Sequence, residues 1–267
     1  MAKFNKLAGK HVLVIGGSQG IGRGVAEGAI ESQAVVTIVG SYRPNLPPKM
    51  QSADKTVAQL KALYPSASVI GLSCNLATDN VEADLDNIFT QAKAAHGKAV
   101  DHVVLTAGDP VLALAPQDIT LEKIRHAARM RLELPALLGK VAQRHLARTT
   151  ASSVTLSTGG VAEKPNPGWS VTAFMAAGLN GLARNLALDL KPIRVNSVEP
   201  GPVDTGFWET GGMTAEQKAA AFKAWDEKLP TGAVGAVEDV AEAYLYLMRD
   251  RNATGEVVKT RSGANLL

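Results

Sequence analysis

The sequence predicts an α/β protein with one doubly wound parallel sheet of about seven strands and helices on both faces. Short apolar runs of strand length alternate with longer stretches of helical periodicity along all 267 residues. Such alternation is typical of parallel strands joined by right-handed helical crossovers. A composition of 46% hydrophobic and 20% charged residues is enough to form the core of a single domain over 1–267.

Seven runs have the length and composition of strands, and helical stretches lie between them. The predicted strands cover residues 11–16, 34–40, 68–74, 101–106, 153–157, 193–198 and 256–259. A long helical run is predicted over 121–146. The segment 41–50 contains three prolines and is the one loop-rich insertion.

The charge pattern narrows the class of partner. A net charge of +3 is spread over 28 basic and 25 acidic residues without basic runs, which argues against nucleic acid. Residues 1–10 lack the apolar region of a signal peptide, and no apolar run has the roughly 18 residues that a membrane span needs. We therefore expect a soluble, cytoplasmic protein with a small organic partner. The single cysteine, Cys74, is expected to pack in a strand, and no metal site is predicted.

A glycine-rich turn follows the first strand and opens the first helix. Glycines allow a tight turn and a close approach to a pyrophosphate, whose charge the free amides of a helix N-terminus stabilise. The alternative is a turn that binds nothing, but the strand-turn-helix context favours a nucleotide. The predicted cofactor-binding residues of this turn are Gly16, Ser18, Gln19, Gly20, Ile21 and Gly22.

The second predicted strand is followed by Ser41, Tyr42 and Arg43, where a NAD site would place an acidic residue against the ribose 2'-hydroxyl. Arg43 can instead pair with a 2'-phosphate, and Ser41 can donate a hydrogen bond to it. This pattern favours NADPH/NADP+ over the NAD pair. The alternative for Arg43 is a solvated loop charge.

Several motifs are spaced along the rest of the chain. They are Gly16-x-x-x-Gly20-x-Gly22, Asn75-Leu76, Leu105-Thr106-Ala107-Gly108, Arg194-Val195-Asn196-Ser197 and Pro200-Gly201-Pro202-Val203-Asp204-Thr205. Together they resemble the short-chain dehydrogenase/reductase family over nearly the whole chain. The resemblance implies a Rossmann fold, adenine contacts from Asn75 and Leu76, and cofactor contacts from Ala107, Gly108, Pro200 and Gly201. It also implies a carboxamide contact from the Val203 main chain, a pyrophosphate contact from Thr205, and a homo-oligomer that is by default a tetramer.

The chain departs from this family at its proton-donating residues. By resemblance the family's serine falls at or beside Thr158, its tyrosine at Thr172, its lysine at Ala176 and its asparagine near Arg131. None of the four tyrosines has a lysine four residues later. General acid catalysis is worth roughly 10²- to 10⁴-fold, or about 3 to 5 kcal/mol, so ketone reduction should be slow. An iminium ion already carries positive charge and becomes a neutral amine on taking hydride, so C=N reduction does not need the lost groups.

Three places offer replacement chemistry. Asp109 could stabilise a cationic substrate, or else cap a helix or turn. Arg131 suits a carboxylate, an amide oxygen or an oxyanion; the alternative is a surface arginine paired with Glu133 or its neighbours. Asn166 and Trp169 lie in the stretch Pro165-Asn166-Pro167-Gly168-Trp169, which prolines stiffen and whose indole would stack on a flat ligand. The alternative for this stretch is a rigid surface turn.

This combination resembles the bifunctional reductase/Diels-Alderases of fungal prenylated indole alkaloid pathways, with Asn166 where that subgroup has aspartate. The resemblance implies NADPH-dependent reduction of a cyclic iminium made from a prenylated tryptophan-proline aldehyde, followed by an intramolecular [4+2] cycloaddition. Arg131 and residue 166 would assist proton movement. Pocket shape would come from Trp169, Phe174, Trp208 and Leu134. Asparagine lacks the charge and the proton-accepting ability of aspartate.

The segment 207–226 is a predicted substrate lid, with Gly211 and Gly212 as a hinge and an amphipathic helix over 214–225 that is equally compatible with plain packing. Two other functions remain open at this point. One is a non-catalytic NADP(H)-binding scaffold or sensor. The other is a ketone reductase with a relocated acid, which would have to be Asp109 or water because arginine stays protonated.

Overall fold

The computed structural model describes residues 3–42, 44–45, 47, 51–109 and 113–267, and it confirms the α/β prediction. Seven parallel strands form one sheet in the order β3-β2-β1-β4-β5-β6-β7. The strands are β1 (His11–Ile15), β2 (Val35–Ser41), β3 (Val69–Cys74), β4 (His102–Leu105), β5 (Ser153–Ser157), β6 (Arg194–Pro200) and β7 (Val257–Thr260). Each lies within one or two residues of its predicted bounds.

Helices cover both faces of the sheet. They are α1 (Gly20–Glu31), α2 (Ser52–Leu63), α3 (Val81–His96), α4 (Leu121–Ala128), α5 (Leu134–His145), α6 (Ser170–Asp189), α7 (Phe207–Thr210), α8 (Ala215–Asp226) and α9 (Val237–Arg249). Alternate side chains of a strand point to opposite faces. Leu13 of β1 therefore packs in a core cluster with Phe89 of α3 and Leu138 of α5. Val14 packs in a second cluster that contains Tyr244 of α9.

The strand order reverses beside β1, which pairs with β2 on one side and with β4 on the other. Ile15 lies in register with Val39 of β2 and with Leu105 of β4. In such sheets the crossovers on the two sides of this point run in opposite directions, so a crevice opens outside the carboxyl ends of the strands. The glycine-rich turn after β1 lies at this crevice.

The long helix predicted over 121–146 is divided in two. A π-helical turn, Arg129–Glu133, separates α4 from α5. The π-turn changes which side chains face the sheet, and such turns are frequent at functional sites. No helix in the described parts of the chain has the length and apolarity to span a membrane.

Candidate active site

A cavity of about 1030 Å³ lies at the carboxyl ends of the strands. Its wall is built by the segments that follow all seven strands. The predicted site residues that line it are Gly16, Ser18, Gln19, Gly20, Ile21, Gly22, Ser41, Asn75, Leu76, Ala107, Gly108, Asp109, Arg131, Asn166, Trp169, Pro200, Gly201, Val203 and Thr205. Arg43 lies outside the described residues.

The turn after β1 is shaped for a pyrophosphate. Gly16 has a φ of +94°, and a Cβ added to it would lie 2.4 Å from the main-chain nitrogen of Ala107, so only glycine fits there. The N-cap of α1, Gln19, makes no side-chain capping bond, and the first turn of α1 carries no acidic residue. The first amides of α1 are therefore free of local caps and available to an anion. These residues fit the phosphates of a dinucleotide.

The end of β6 is joined to the segment predicted as a lid. Val203 forms a parallel bridge with Gly235, and its carbonyl accepts a hydrogen bond of 2.8 Å from the indole nitrogen of Trp208. The main-chain oxygen of Thr205 accepts a bond of 3.1 Å from Lys218 Nζ. Trp208 lies in α7 and Lys218 in α8. Both helices are thus tied to the strand end that the resemblance assigns to nicotinamide and pyrophosphate.

An aromatic cluster holds α7 against α8. The ring of Trp208 lies 4.9 Å from that of Trp225 and 6.2 Å from that of Phe222, measured between centroids. Thr214 and Gln217 form a capping box that starts α8. Although every residue of α8 is described, none is fully buried. Few packing contacts hold this helix, which is typical of segments that open at low energetic cost.

Arg131 faces the cavity from the π-turn. Its Nη2 donates a hydrogen bond to the main-chain oxygen of Asp109, and its guanidinium lies against Gly108, 3.8 Å from where a Cβ would be. Burial lowers the pKa of the guanidinium, and the charge of Asp109 opposes that shift. The alternative of a surface pair with Glu133 is therefore wrong, because the π-turn directs Arg131 toward the strand ends.

The loop that carries Asn166 and Trp169 is fixed at both ends. The carbonyl of Gly168 accepts a hydrogen bond of 2.6 Å from the amide of Leu114. The carbonyl of Asn166 accepts one of 3.1 Å from the amide of Trp169, which is the N-cap of α6. Trp169 is half-buried and Asn166 is exposed. The cavity thus has an indole and a carboxamide on the wall where the family pattern has its tyrosine helix.

The residues at the family's serine, tyrosine and lysine positions have structural partners. Thr158 Oγ1 donates a hydrogen bond of 2.7 Å to the carbonyl of Ala176, and Thr172 is buried. The Ser157 hydroxyl is bonded to the hydroxyl of Tyr244, whose pKa burial raises. Within the described residues no tyrosine lines the cavity. The tyrosine acid is therefore missing from the site as well as from the motif.

Two of the four residues predicted to shape the pocket lie elsewhere. Phe174 is 69% exposed, because it is two residues from Thr172 on α6 and points to the opposite side of that helix. Leu134 is fully buried in the core cluster beside α3. Trp169 and Trp208 do line the cavity. The prediction of pocket shape was wrong for Phe174 and Leu134.

Comparison with known proteins decides the family. A sequence model described as "SDR-like rossmann domain" matches residues 3–267. The chain belongs to the short-chain dehydrogenase/reductase family. Members of this family are oxidoreductases, and the match confirms the resemblance drawn from the motifs.

Fungal members of the family are similar to this chain over almost its whole length. Short-chain dehydrogenase/reductase fsr5 of Gibberella fujikuroi is 40% identical, over 98% of this chain and 97% of that protein. Short-chain dehydrogenase/reductase malC of Malbranchea aurantiaca is 37% identical, over 96% of this chain and 95% of that protein. The solved structure of MalC Reductase/Diels-Alderase from Malbranchea aurantiaca superposes with a TM-score of 0.89 at 36% identity, covering 98% and 99% of the two chains.

Several cavity residues have no counterpart in the sequence predictions. They are Lys164, Lys228, Arg261, Ala264, Asn265 and Leu267. Their positions in the chain are far apart, and only the fold brings them together. With Arg131 they place four cationic side chains on the described wall, against one carboxylate, Asp109. Among the described residues that line the cavity, Asp109 is therefore the acidic side chain that can stabilise a cationic substrate.

Proposed function

We propose that this protein reduces a cyclic iminium, derived from a prenylated tryptophan-proline aldehyde, with NADPH and then directs an intramolecular [4+2] cycloaddition. The main support for the proposal is the cavity, one end of which fits a dinucleotide and whose described wall contains no tyrosine. The similarity to MalC Reductase/Diels-Alderase, which is 36% identical to this chain, supports the same pair of activities.

The cofactor assignment is supported by the residues at the crevice. The turn Gly16–Gly22 would hold the pyrophosphate, and Asn75 and Leu76 would hold the adenine. Ser41, an exposed residue at the end of β2, would donate to a 2'-phosphate, with Arg43 as its charged partner. When bound, the reduced nicotinamide supplies a hydride to the substrate.

The charge change during iminium reduction suits the polar groups on the cavity wall. Ketone reduction creates an alkoxide, and without a proton donor it loses roughly 10²- to 10⁴-fold in rate. Reduction of an iminium cancels the substrate's positive charge instead. Asp109 would stabilise that charge before transfer, and Arg131 would donate to a carbonyl oxygen of the substrate. Asn166 would hydrogen-bond the substrate without transferring a proton.

Cycloaddition needs a shape more than a catalytic group. Loss of water or tautomerisation of the reduced intermediate would first give an azadiene. Trp169 and Trp208 would enclose this diene and the tethered alkene, and the segment 207–226 would close over them as a lid. Orientation of reacting groups contributes up to about 7 to 11 kcal/mol in favourable cases. One facial arrangement in the cavity would give one enantiomer of product.

The experiment compares NADPH oxidation with an iminium and with a ketone of the same carbon skeleton, in the wild type and in Asn166→Asp. We expect kcat/KM for the iminium to exceed that for the ketone by about 10²-fold or more. Asn166→Asp should accelerate product formation, because a carboxylate restores a proton acceptor. A faster ketone would favour the ketone reductase with Asp109 as acid. Binding of NADPH without turnover of either compound would favour a non-catalytic scaffold.

We also propose that the protein assembles as a homo-oligomer, with a tetramer implied by the family resemblance. The outer face of α6 presents Phe174 and Leu188, which are 69% and 70% exposed. A helix face of this kind is typical of subunit interfaces. Phe174→Glu should lower the mass measured by light scattering, whereas Leu63→Glu, at an exposed leucine on α2, should not.

A further inference from the structure

The segment 262–267, which we call the strap, follows β7 and crosses to the cavity. Ala264, Asn265 and Leu267 line the cavity, whereas Leu266 is 76% exposed and does not. The strap begins with a turn in which the Ala264 amide donates to the carbonyl of Arg261 at 2.8 Å. Three of its side chains therefore face the cavity, and that of Leu266 faces the outer surface.

Lys164 fastens the strap to the loop that carries Asn166 and Trp169. Its Nζ donates one hydrogen bond of 2.5 Å to the carbonyl of Ala264 and one of 3.2 Å to the main-chain oxygen of Leu267. These bonds join positions a hundred residues apart in sequence. An ammonium group has three donors, so two of the three are engaged in holding the strap.

A second attachment joins the strap to the turn after the lid. Gly263 has a φ of +76°, and a Cβ added to it would lie 2.6 Å from Cγ of Pro230. Leu229, next to Pro230, lines the cavity. The strap thus lies between the two segments that the proposed function assigns to the substrate, the loop at 160–169 and the lid at 207–226.

We propose that the strap is a wall of the substrate site and that Lys164 is its positioning residue. This inference extends the proposed function and depends on it for the identity of the substrate. Ala264 and Leu267 present apolar surface to a bulky ligand, and the Asn265 carboxamide can accept from an N–H or donate to a carbonyl. The strap contacts the part of the substrate farthest from the cofactor phosphates, so it determines substrate size and facial selectivity. Changes in the strap therefore leave the affinity for NADPH unchanged.

The first test replaces Lys164 and measures exchange, which needs no turnover. Hydrogen–deuterium exchange of the NADPH-bound protein should be faster in Lys164→Met at both 160–169 and 262–267. The thermal midpoint should be unchanged, and the Kd for NADPH should lie within about twofold of the wild-type value. Lys164→Arg should restore protection. Unchanged exchange in Lys164→Met would overturn the role of Lys164 in holding the strap, whether or not the protein turns over an iminium.

The second test uses two neighbouring leucines as a matched pair. Leu267→Ala should raise the KM for the iminium by about tenfold and lower the enantiomeric excess, because the removed side chain lines the cavity. Leu266→Ala should behave as wild type. Equal behaviour of the two variants, in a protein that turns over the iminium, would overturn the strap as a substrate wall.

Discussion

The buried ion pair of Glu199 and Arg261 allows a quantitative prediction. The side chain of Glu199 at the end of β6 is 0% exposed and that of Arg261 just after β7 is 3% exposed. Glu199 also accepts a hydrogen bond of 3.1 Å from Asn180 on α6. Arg261→Met would leave a buried carboxylate with Asn180 as its remaining described partner. Breaking a buried pair in this way costs about 3 to 5 kcal/mol.

The assay is thermal and urea unfolding of the NADPH-free protein. A loss of about 3 to 5 kcal/mol corresponds to a fall in Tm of roughly 6 to 20 °C for a domain of this size. Lys259→Met is the matched control, since Lys259 pairs with Glu163, which Arg261 also contacts, but both partners are 45% exposed. An exposed pair contributes about 0 to 1 kcal/mol. Equal loss in the two variants would refute the reasoning.

Three further predictions concern pH, the guanidinium and the lid. Burial lowers the pKa of His102 to about 3, so below about pH 6.5 the unfolded chain binds a proton at this residue and the folded protein does not. The contribution of His102 to the free energy of unfolding should therefore be full above about pH 6.5 and should be lost as the pH falls from about 6.5 to 3. His102→Gln should make this loss smaller in acid unfolding curves. Arg131→Gln should lower kcat/KM by about 10- to 100-fold with NADPH affinity unchanged in titrations, since a charged donor contributes about 1.5 to 3 kcal/mol; an unchanged kcat/KM would contradict its role. Trp208→Phe removes the hydrogen bond to the Val203 carbonyl and should speed proteolysis within 207–226. Trp225→Phe is the control and should not speed it, because among the described residues the Trp225 indole nitrogen makes no such bond.

The sequence was sufficient for the sheet and for the class of cofactor, because both depend on local patterns. Period-two and period-3.6 hydrophobicity located the strands and helices, and Gly16 is required by the backbone of its own turn. The departures at Thr172 and Ala176 were also visible, because a motif fixes their spacing.

The rest of the site depends on geometry that the sequence does not encode locally. The π-turn that directs Arg131 inward breaks a period that is typical of one continuous helix. The hydrogen bond from Arg131 to the main-chain oxygen of Asp109 was therefore not predictable. Phe174 and Leu134 were predicted to shape the pocket, but helix phase turns Phe174 to the outer surface and Leu134 packs in the core. The strap reaches the cavity through Lys164, a contact between segments a hundred residues apart.

The most direct test of the central claim is a single incubation with the prenylated tryptophan-proline aldehyde and NADPH deuterated at the transferred position. Products would be separated by chiral chromatography and their deuterium content measured by mass spectrometry. The proposed function predicts one enantiomer of the bicyclic product, carrying one deuterium at the former iminium carbon. Racemic product at the rate seen in buffer, with no deuterium and no NADPH oxidation, would contradict it.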